Sequence, residues 1–302
     1  MLVLCRMYKL KSHKVKRLQR PMRIESYCRG LFEELPSNKS VKKAVAKGII
    51  RVGGECISSA YFLCEGDEIE LWDLEESKPP HYQMDIEVVY EDDHLAVVFK
   101  PAGLITSGNL FRTLEHAIQG QLKPCKINPL KWPKPVHRLD SVTSGLVIIA
   151  KSVPARIELG RMLERKELTK KYLALLTGKY KGPQVVDSPI DQKASMSNVE
   201  ILLVKESLNN GYISKVHLEP VSGRTHQLRI HMAQQGNPII GDKEYGQKGD
   251  VLLHKGLFLC ATSLRFFHPV SGKVIHIEID APPKFDKLME REYQRYLKYN
   301  VK

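Results

Sequence analysis

Residues 137–151 read His137-Arg138-Leu139-Asp140-Ser141-Val142-Thr143-Ser144-Gly145-Leu146-Val147-Ile148-Ile149-Ala150-Lys151. The first half is a polar loop with a single carboxylate, Asp140, closed by a Ser-Gly turn. The second half is apolar without alternation, the pattern of a strand covered on both faces. A carboxylate beside the end of such a strand is a candidate catalytic group. The ordinary alternative is an Asp that bonds its own backbone in an Asx turn. A second polar cluster, Ser222-Gly223-Arg224-Thr225-His226-Gln227-Leu228-Arg229-Ile230-His231, holds two arginines near a helix start. These are candidates for phosphate binding or for pairing with a buried carboxylate. His226 and His231 are five apart, a poor match to one helix face, and no third ligand is evident, so a metal site is not expected.

Short apolar runs recur on both sides of this segment, at 86–90, 95–99, 172–176, 199–204, 213–218, 257–260 and 274–279. Many are β-branched and bounded by turn residues, with helical stretches only at about 155–165 and 225–235. Strict βαβ alternation is missing. The expected class is therefore α+β, a large mixed and mostly antiparallel sheet with flanking helices.

Upstream, Ser77-Lys78-Pro79-Pro80 has the composition of a linker, because two prolines do not fit inside a helix or central strand. Ahead of it, Ser37-Asn38-Lys39-Ser40 offers caps for a short helix with Val41, Ala44 and Val45 on one face, and Gly48 stands where a left-handed C-terminal cap is wanted. Lys39, Lys42, Lys43 and Lys47 fall on its solvent side. Strands are expected at 49–52 and 68–72, with turns at Gly53-Gly54 and Glu65-Gly66-Asp67. The expected organisation is a basic arm over 1–22, a small α/β module over 23–76, a linker over 77–84 and a larger domain over 85–302.

Charge is uneven along the 302 residues. Residues 1–50 carry 13 Lys or Arg against 3 Glu, so they hold +10 of the +13 total. Concentrated positive charge gives sequence-blind, salt-dependent affinity for phosphate backbones, so nucleic acid is the leading partner class. An anionic membrane surface and a targeting presequence are the alternatives for this end of the chain. No apolar run approaches the roughly 20 residues of a bilayer span, so no membrane partner is expected. Six cysteines without a C-x-x-C pair fit reduced thiols in a cytoplasmic protein.

At every fixed position, residues 137–151 match H-R-L-D-x-x-T-S-G-L-x-x-x-A-K, the signature of the RluA-like pseudouridine synthases, which the chain resembles. Further segments agree in order: Lys100-Pro101-Ala102-Gly103-Leu104, Lys170-Lys171-Tyr172-Leu173-Ala174-Leu175, Gly223 to His231 with Gly241-Asp242-Lys243-Glu244-Tyr245-Gly246, and Leu264 to Pro269. Departures fall at Ser107-Gly108-Asn109 and Cys260-Ala261. The segment 23–72 resembles the S-four-like RNA-binding module, although Arg23-Ile24-Glu25 replaces the usual opening Arg-Leu-Asp.

The resemblance implies isomerisation of uridine in RNA, with no metal and no cofactor: the C1′–N1 bond breaks, the base turns, and C1′ joins C5. It makes Asp140 the essential carboxylate, as nucleophile at the sugar or as the base that opens a glycal route. Arg229 becomes its cationic partner, and Tyr172 a stacking residue and candidate for removing the C5 proton. It further implies that Arg138 fills the stack vacated by an extruded uridine, that His137, Thr143 and Gly145 order the loop, and that Lys42, Lys43, Lys47 and Arg51 hold RNA phosphates. Ribosomal RNA is the favoured target and transfer RNA the other, with a monomer as the default state. The alternatives are a non-catalytic RNA-binding or assembly factor on the same scaffold and a hydrolase using Asp140 with His226.

Overall fold

The computed structural model describes residues 7–32, 34–74, 79–246 and 255–300. The chain divides into two compact units, Met1–Pro79 and Pro80–Lys302. The expected linker over 77–84 straddles that division, and its residues 77–78 lie outside the described ones.

The first unit runs β1 (Met7–Lys14), β2 (Met22–Arg23), α1 (Ile24–Tyr27), α2 (Asn38–Ala46), β3 (Ile50–Val52), β4 (Glu55–Cys56), β5 (Phe62–Leu63) and β6 (Glu68–Leu74). Its sheet has the order β1-β6-β3-β4, and β2 pairs separately with β5. Helix α2 begins in a capping box: the Ser40 backbone N–H donates to Ser37 Oγ at 3.2 Å, and the Ser37 N–H donates to Ser40 Oγ at 3.0 Å. Val41, Ala44 and Val45 are buried against Ile24, Ile50 and Ile69, and Gly48 takes the left-handed conformation at φ 66°.

Within the expected basic arm over 1–22, Met7–Lys14 is an edge strand on β6 and Val15 is buried. Strand pairing uses backbone groups, so a lysine-rich segment can supply it once its charges are met. Lys9 stands 2.5 Å from Glu70, and Lys11 stands 2.7 Å from Glu34. Lysines at a sheet edge also discourage pairing with other chains.

The second unit contains β7 (Val88–Glu91), β8 (Leu95–Lys100), α3 (Leu114–Ala117), β9 (Pro129–Pro135), β10 (Ser144–Ser152), α4 (Val153–Glu164), β11 (Thr169–Thr177), β12 (Val185–Val186), β13 (Ser197–Ser207), β14 (Gly211–Pro220), α5 (Gln227–Gln234), β15 (Leu259–Phe267), β16 (Val274–Glu278) and α6 (Lys284–Asn300). A ten-stranded sheet follows the order β12-β13-β14-β11-β15-β10-β8-β7, with β16 on β15 and β9 on β10. All its pairings are antiparallel except the short parallel contact of β10 with β15. This is the α+β architecture expected from the sequence.

Strand β10 is buried along its whole length. Val147 and Ile149 enter one core with Ala96, Val98, Leu114, Leu228 and Met232, from β8, α3 and α5. Leu146 and Ile148 enter another with Leu95, Val97, Ala155 and Leu159, from β8 and α4. Each large aliphatic side chain buried in this way contributes about 1.5–3 kcal/mol. The strand is thus anchored from both faces, and the loop ahead of it, with Asp140, inherits that rigidity.

Candidate active site

The Asp140 loop is held chiefly through its backbone. Thr106 Oγ1 donates to the Leu139 carbonyl at 2.9 Å and accepts from the Leu139 N–H at 3.1 Å. The Gly103 N–H donates to the Ser141 carbonyl at 2.7 Å, and the Thr143 N–H to the Asp140 carbonyl at 3.0 Å. Lys100, fully buried, donates from Nζ to the carbonyls of Leu104, Pro101 and Ser141 at 2.8, 3.0 and 3.3 Å. Burial pulls its pKa down to about 8, against the opposing influence of the Asp140 charge.

His137 ties the loop to the strand it precedes, since its Nε2 accepts from the Ile148 N–H at 3.1 Å. Burial, with the nearby Lys170 charge, lowers the ring pKa to about 3. Gly145 sits at φ 122°, where a Cβ would lie 2.3 Å from the carbonyl oxygen of Ala261. Only glycine permits this close parallel contact with β15.

The Asp140 side chain is 19% exposed. Its Oδ2 lies 3.8 Å from Arg229 Nη1, and its Oδ1 lies 3.7 Å from His226 Nε2. These are contacts between charges rather than close hydrogen bonds. The guanidinium fork of Arg229 is aimed elsewhere: Nε and Nη2 donate to Asp242 Oδ2 and Oδ1, both at 2.7 Å, and Nη2 reaches Glu244 Oε2 at 3.1 Å. The Tyr245 ring lies 4.9 Å from the guanidinium carbon. Burial alone would raise the Asp242 pKa, but the bonds from Arg229 and from the N–H groups of Glu244 and Tyr245 hold it below the usual carboxylate range.

Tyr172, from β11, is buried, and burial followed by the charge of Asp140 pushes its phenol up. His137, Arg138, Asp140, Thr143, Tyr172 and Arg229 all line one cavity of about 510 Å³, within the range of small-molecule sites. Asp140, Arg138, His226 and Arg229 also border a second hollow of about 860 Å³. Six of the candidate residues named from sequence therefore converge, with Gly145 directly beyond them in β10.

Lys42, Lys43, Lys47 and Arg51 belong to the first unit. The three lysines are exposed, and Lys42 Nζ stands 3.1 Å from Glu25. Arg51 is built into its own hairpin, donating at 3.3 Å to the carbonyls of Gly48 and Gly54 with its guanidinium 4.9 Å from the Trp72 ring centre. His231 is buried among Ser188, Ser195 and Ser197, away from any ligand role. Sequence reasoning missed Asp242 as the holder of Arg229 and Lys100 as the clamp beneath the loop. Both stand in segments that carried the family resemblance, and that is the signal they left.

The sequence profile of the RNA pseudouridylate synthase family matches residues 94–234, which span the loop, β11 and α5. The ribosomal large subunit pseudouridine synthase C of Salmonella typhi is 30% identical over 300 residues, covering 89% of this chain and 92% of the relative. That of Escherichia coli K12 is 31% identical over 288 residues, covering 85% and 88%. Among solved structures, human RNA pseudouridylate synthase domain containing 1 superposes with a TM-score of 0.53 at 25% identity, over 66% of this chain and 84% of that one. Human RNA pseudouridylate synthase domain containing 4 shares the fold, with a TM-score of 0.50 at 19% identity over 68% and 92%. With relatives this similar over nearly their full length, the chain belongs to the RNA pseudouridylate synthase family, among its RluA-like members.

Proposed function

We infer that this RNA pseudouridine synthase acts on large-subunit ribosomal RNA and that Asp140 is the carboxylate at which its isomerisation starts. The observation that carries the role of Asp140 is its place on the wall of the cavity that Tyr172 also lines, 3.8 Å from the Arg229 guanidinium. A uridine paired or stacked in RNA cannot bring C1′ to a carboxylate, so the nucleotide has to leave the stack at a cost of a few kcal/mol. The exposed Arg138, at the rim of both hollows, is placed to occupy the gap.

Inside the cavity, Arg229 Nη1 lies 3.8 Å from the Asp140 carboxylate, and either route begins from a carboxylate. As nucleophile, Asp140 displaces N1 from C1′; as base, it removes a sugar proton and the base leaves. In both cases the freed uracil turns and C5 bonds to C1′. That step breaks the Asp140–C1′ bond in the first route and is accompanied by return of the sugar proton in the second. C5 then loses its proton and N1 gains one, so the product is an isomer. Its place on the cavity wall supports Tyr172 as the surface on which the base stacks, and its raised phenol pKa weighs against it as the base for C5 while Asp140 is charged. If Asp140 bonds to C1′, its charge disappears and part of that obstacle goes with it. Lys42, Lys43 and Lys47 add affinity for phosphates without reading bases.

Support for the target comes from the Salmonella typhi and Escherichia coli relatives, which are ribosomal large subunit pseudouridine synthases, and we take the enzyme to be a cytoplasmic monomer. The test is incubation with unmodified transcripts of large-subunit ribosomal RNA and of transfer RNA, followed by mapping of pseudouridine. Product in the ribosomal transcript is expected; product only in transfer RNA would overturn the target.

A further inference from the structure

The wall of the 510 Å³ cavity contains a cation that the reaction as described leaves unused. Lys170 lies two residues before Tyr172 on β11 and lines the same cavity as Asp140. Its ammonium forms no ion pair or side-chain hydrogen bond among the described residues, although Glu164 and Glu219 border the same space. Burial is the sole influence on its pKa, which is lowered. The two buried cations nearby are satisfied, Arg229 by Asp242 and Lys100 by three carbonyls, and the exposed Arg224 donates to the carbonyl of Ala194 at 3.2 Å. Lys170 is half-buried, and an ammonium without a counter-charge on a cavity wall is open to an anion that enters the cavity.

Among the described residues, two further polar groups of the same wall, His137 Nδ1 and the Thr143 hydroxyl, have no hydrogen-bond partner of good geometry, although the Arg138 backbone lies near the ring. Because His137 Nε2 accepts from the Ile148 N–H, the neutral ring carries its proton on Nδ1, which makes that atom a donor. The Lys170 charge acts on this ring, so the two groups are neighbours. An ammonium with an imidazole N–H donor beside it suits an oxyanion. Uracil is neutral and cannot balance the charge, whereas every nucleotide that enters the cavity brings phosphates with it.

We propose that Lys170 is a phosphate-binding residue of the catalytic cavity, holding an RNA backbone phosphate next to the extruded uridine. It rests on the synthase reading of this site and adds a substrate contact to it. The contact is electrostatic and independent of base identity, and it fixes how deeply the nucleotide sits relative to Asp140.

The experiment uses the full chain with Lys170→Met and Lys170→Arg, and a large-subunit ribosomal RNA transcript as the probe. Binding is measured across a series of salt concentrations. A phosphate contact releases about 0.7–0.9 of a counterion, so the Met variant should show a log–log salt slope shallower by that amount and about tenfold weaker binding at low salt. The Arg variant should recover both, and the loss in turnover of the Met variant should fall on KM rather than kcat. The Met variant should melt no lower than the wild type, since it removes an unpaired cation. An unchanged slope would overturn the proposal, as would a weaker affinity with the slope unaltered, which would indicate a contact to an uncharged group. Pseudouridine formation by the wild-type protein on the same transcript judges the synthase reading separately.

Discussion

Arg229 directs two of its nitrogens at Asp242 and leaves Nη1 facing Asp140 at 3.8 Å. The fork fixes the plane of the guanidinium, so the charge beside Asp140 stays in place without a tight bond that would tie up the carboxylate. Asp242→Asn keeps the shape and removes the charge from a buried pair. It is expected to cost about 3 kcal/mol of stability, measured by denaturant unfolding, and to lower kcat by about tenfold or more. A variant with wild-type kcat would separate Asp242 from the site. His137 gives a pH signature. Its folded pKa of about 3 lies below the unfolded value near 6.5, so between these limits only the unfolded state binds the proton. Its contribution to stability therefore falls as pH drops from about 6.5 to about 3 and is constant above; His137→Gln should flatten this part of the unfolding profile. The convergence of Asp140, Tyr172 and Arg229 on one cavity was legible because each stands in a dense motif. The Arg229–Asp242 fork was not, because a pairing made through space leaves no mark in the spacing of 229 and 242.

Strand β10 announces itself by an unbroken apolar run, since a strand covered on both faces has no polar side to alternate with. Its entry depends on Gly145, where an added Cβ would meet the backbone of Ala261 in β15. Gly145→Ala is expected to destabilise the protein by about 3 kcal/mol or to prevent folding, as followed by urea unfolding. Wild-type stability would show that the two strands can separate at that point. Helix α2 was equally readable, from the Ser37 cap to Gly48. Three other elements were not. Pro129, Pro133 and Pro135 disguise β9, which takes the side of β10 that β15 leaves and needs few donors of its own. Lysines hide β1 within the basic run at the start of the chain. In α6, Phe285, Leu288 and Met289 pack on β11 and β14 residues, but the next inward position is Glu292. That carboxylate is buried and meets Arg291, Arg295 and Asn209, which interrupts the apolar stripe by which a helix is recognised.

Across the whole molecule, +10 of the +13 charge belongs to the first 50 residues, while the cavity with Asp140 lies in the second unit. On the proposed function, affinity and chemistry therefore fall in different parts of the chain. Replacing Lys42, Lys43 and Lys47 with Ala should weaken RNA binding and reduce the salt slope by about 2, at roughly 0.7 per phosphate contact on single strands, while the second unit keeps its fold. Unchanged affinity at low salt would make those lysines solubilising groups. The division of the chain was legible in composition, from the charge run and the paired prolines, because both are properties of the sequence itself. The most direct test uses the full chain with Asp140→Asn, assayed for RNA binding and for pseudouridine in the same large-subunit transcript. Binding equal to the wild type with no detectable product is the expected result. Substantial product from the variant would contradict the assignment of the chemistry to Asp140.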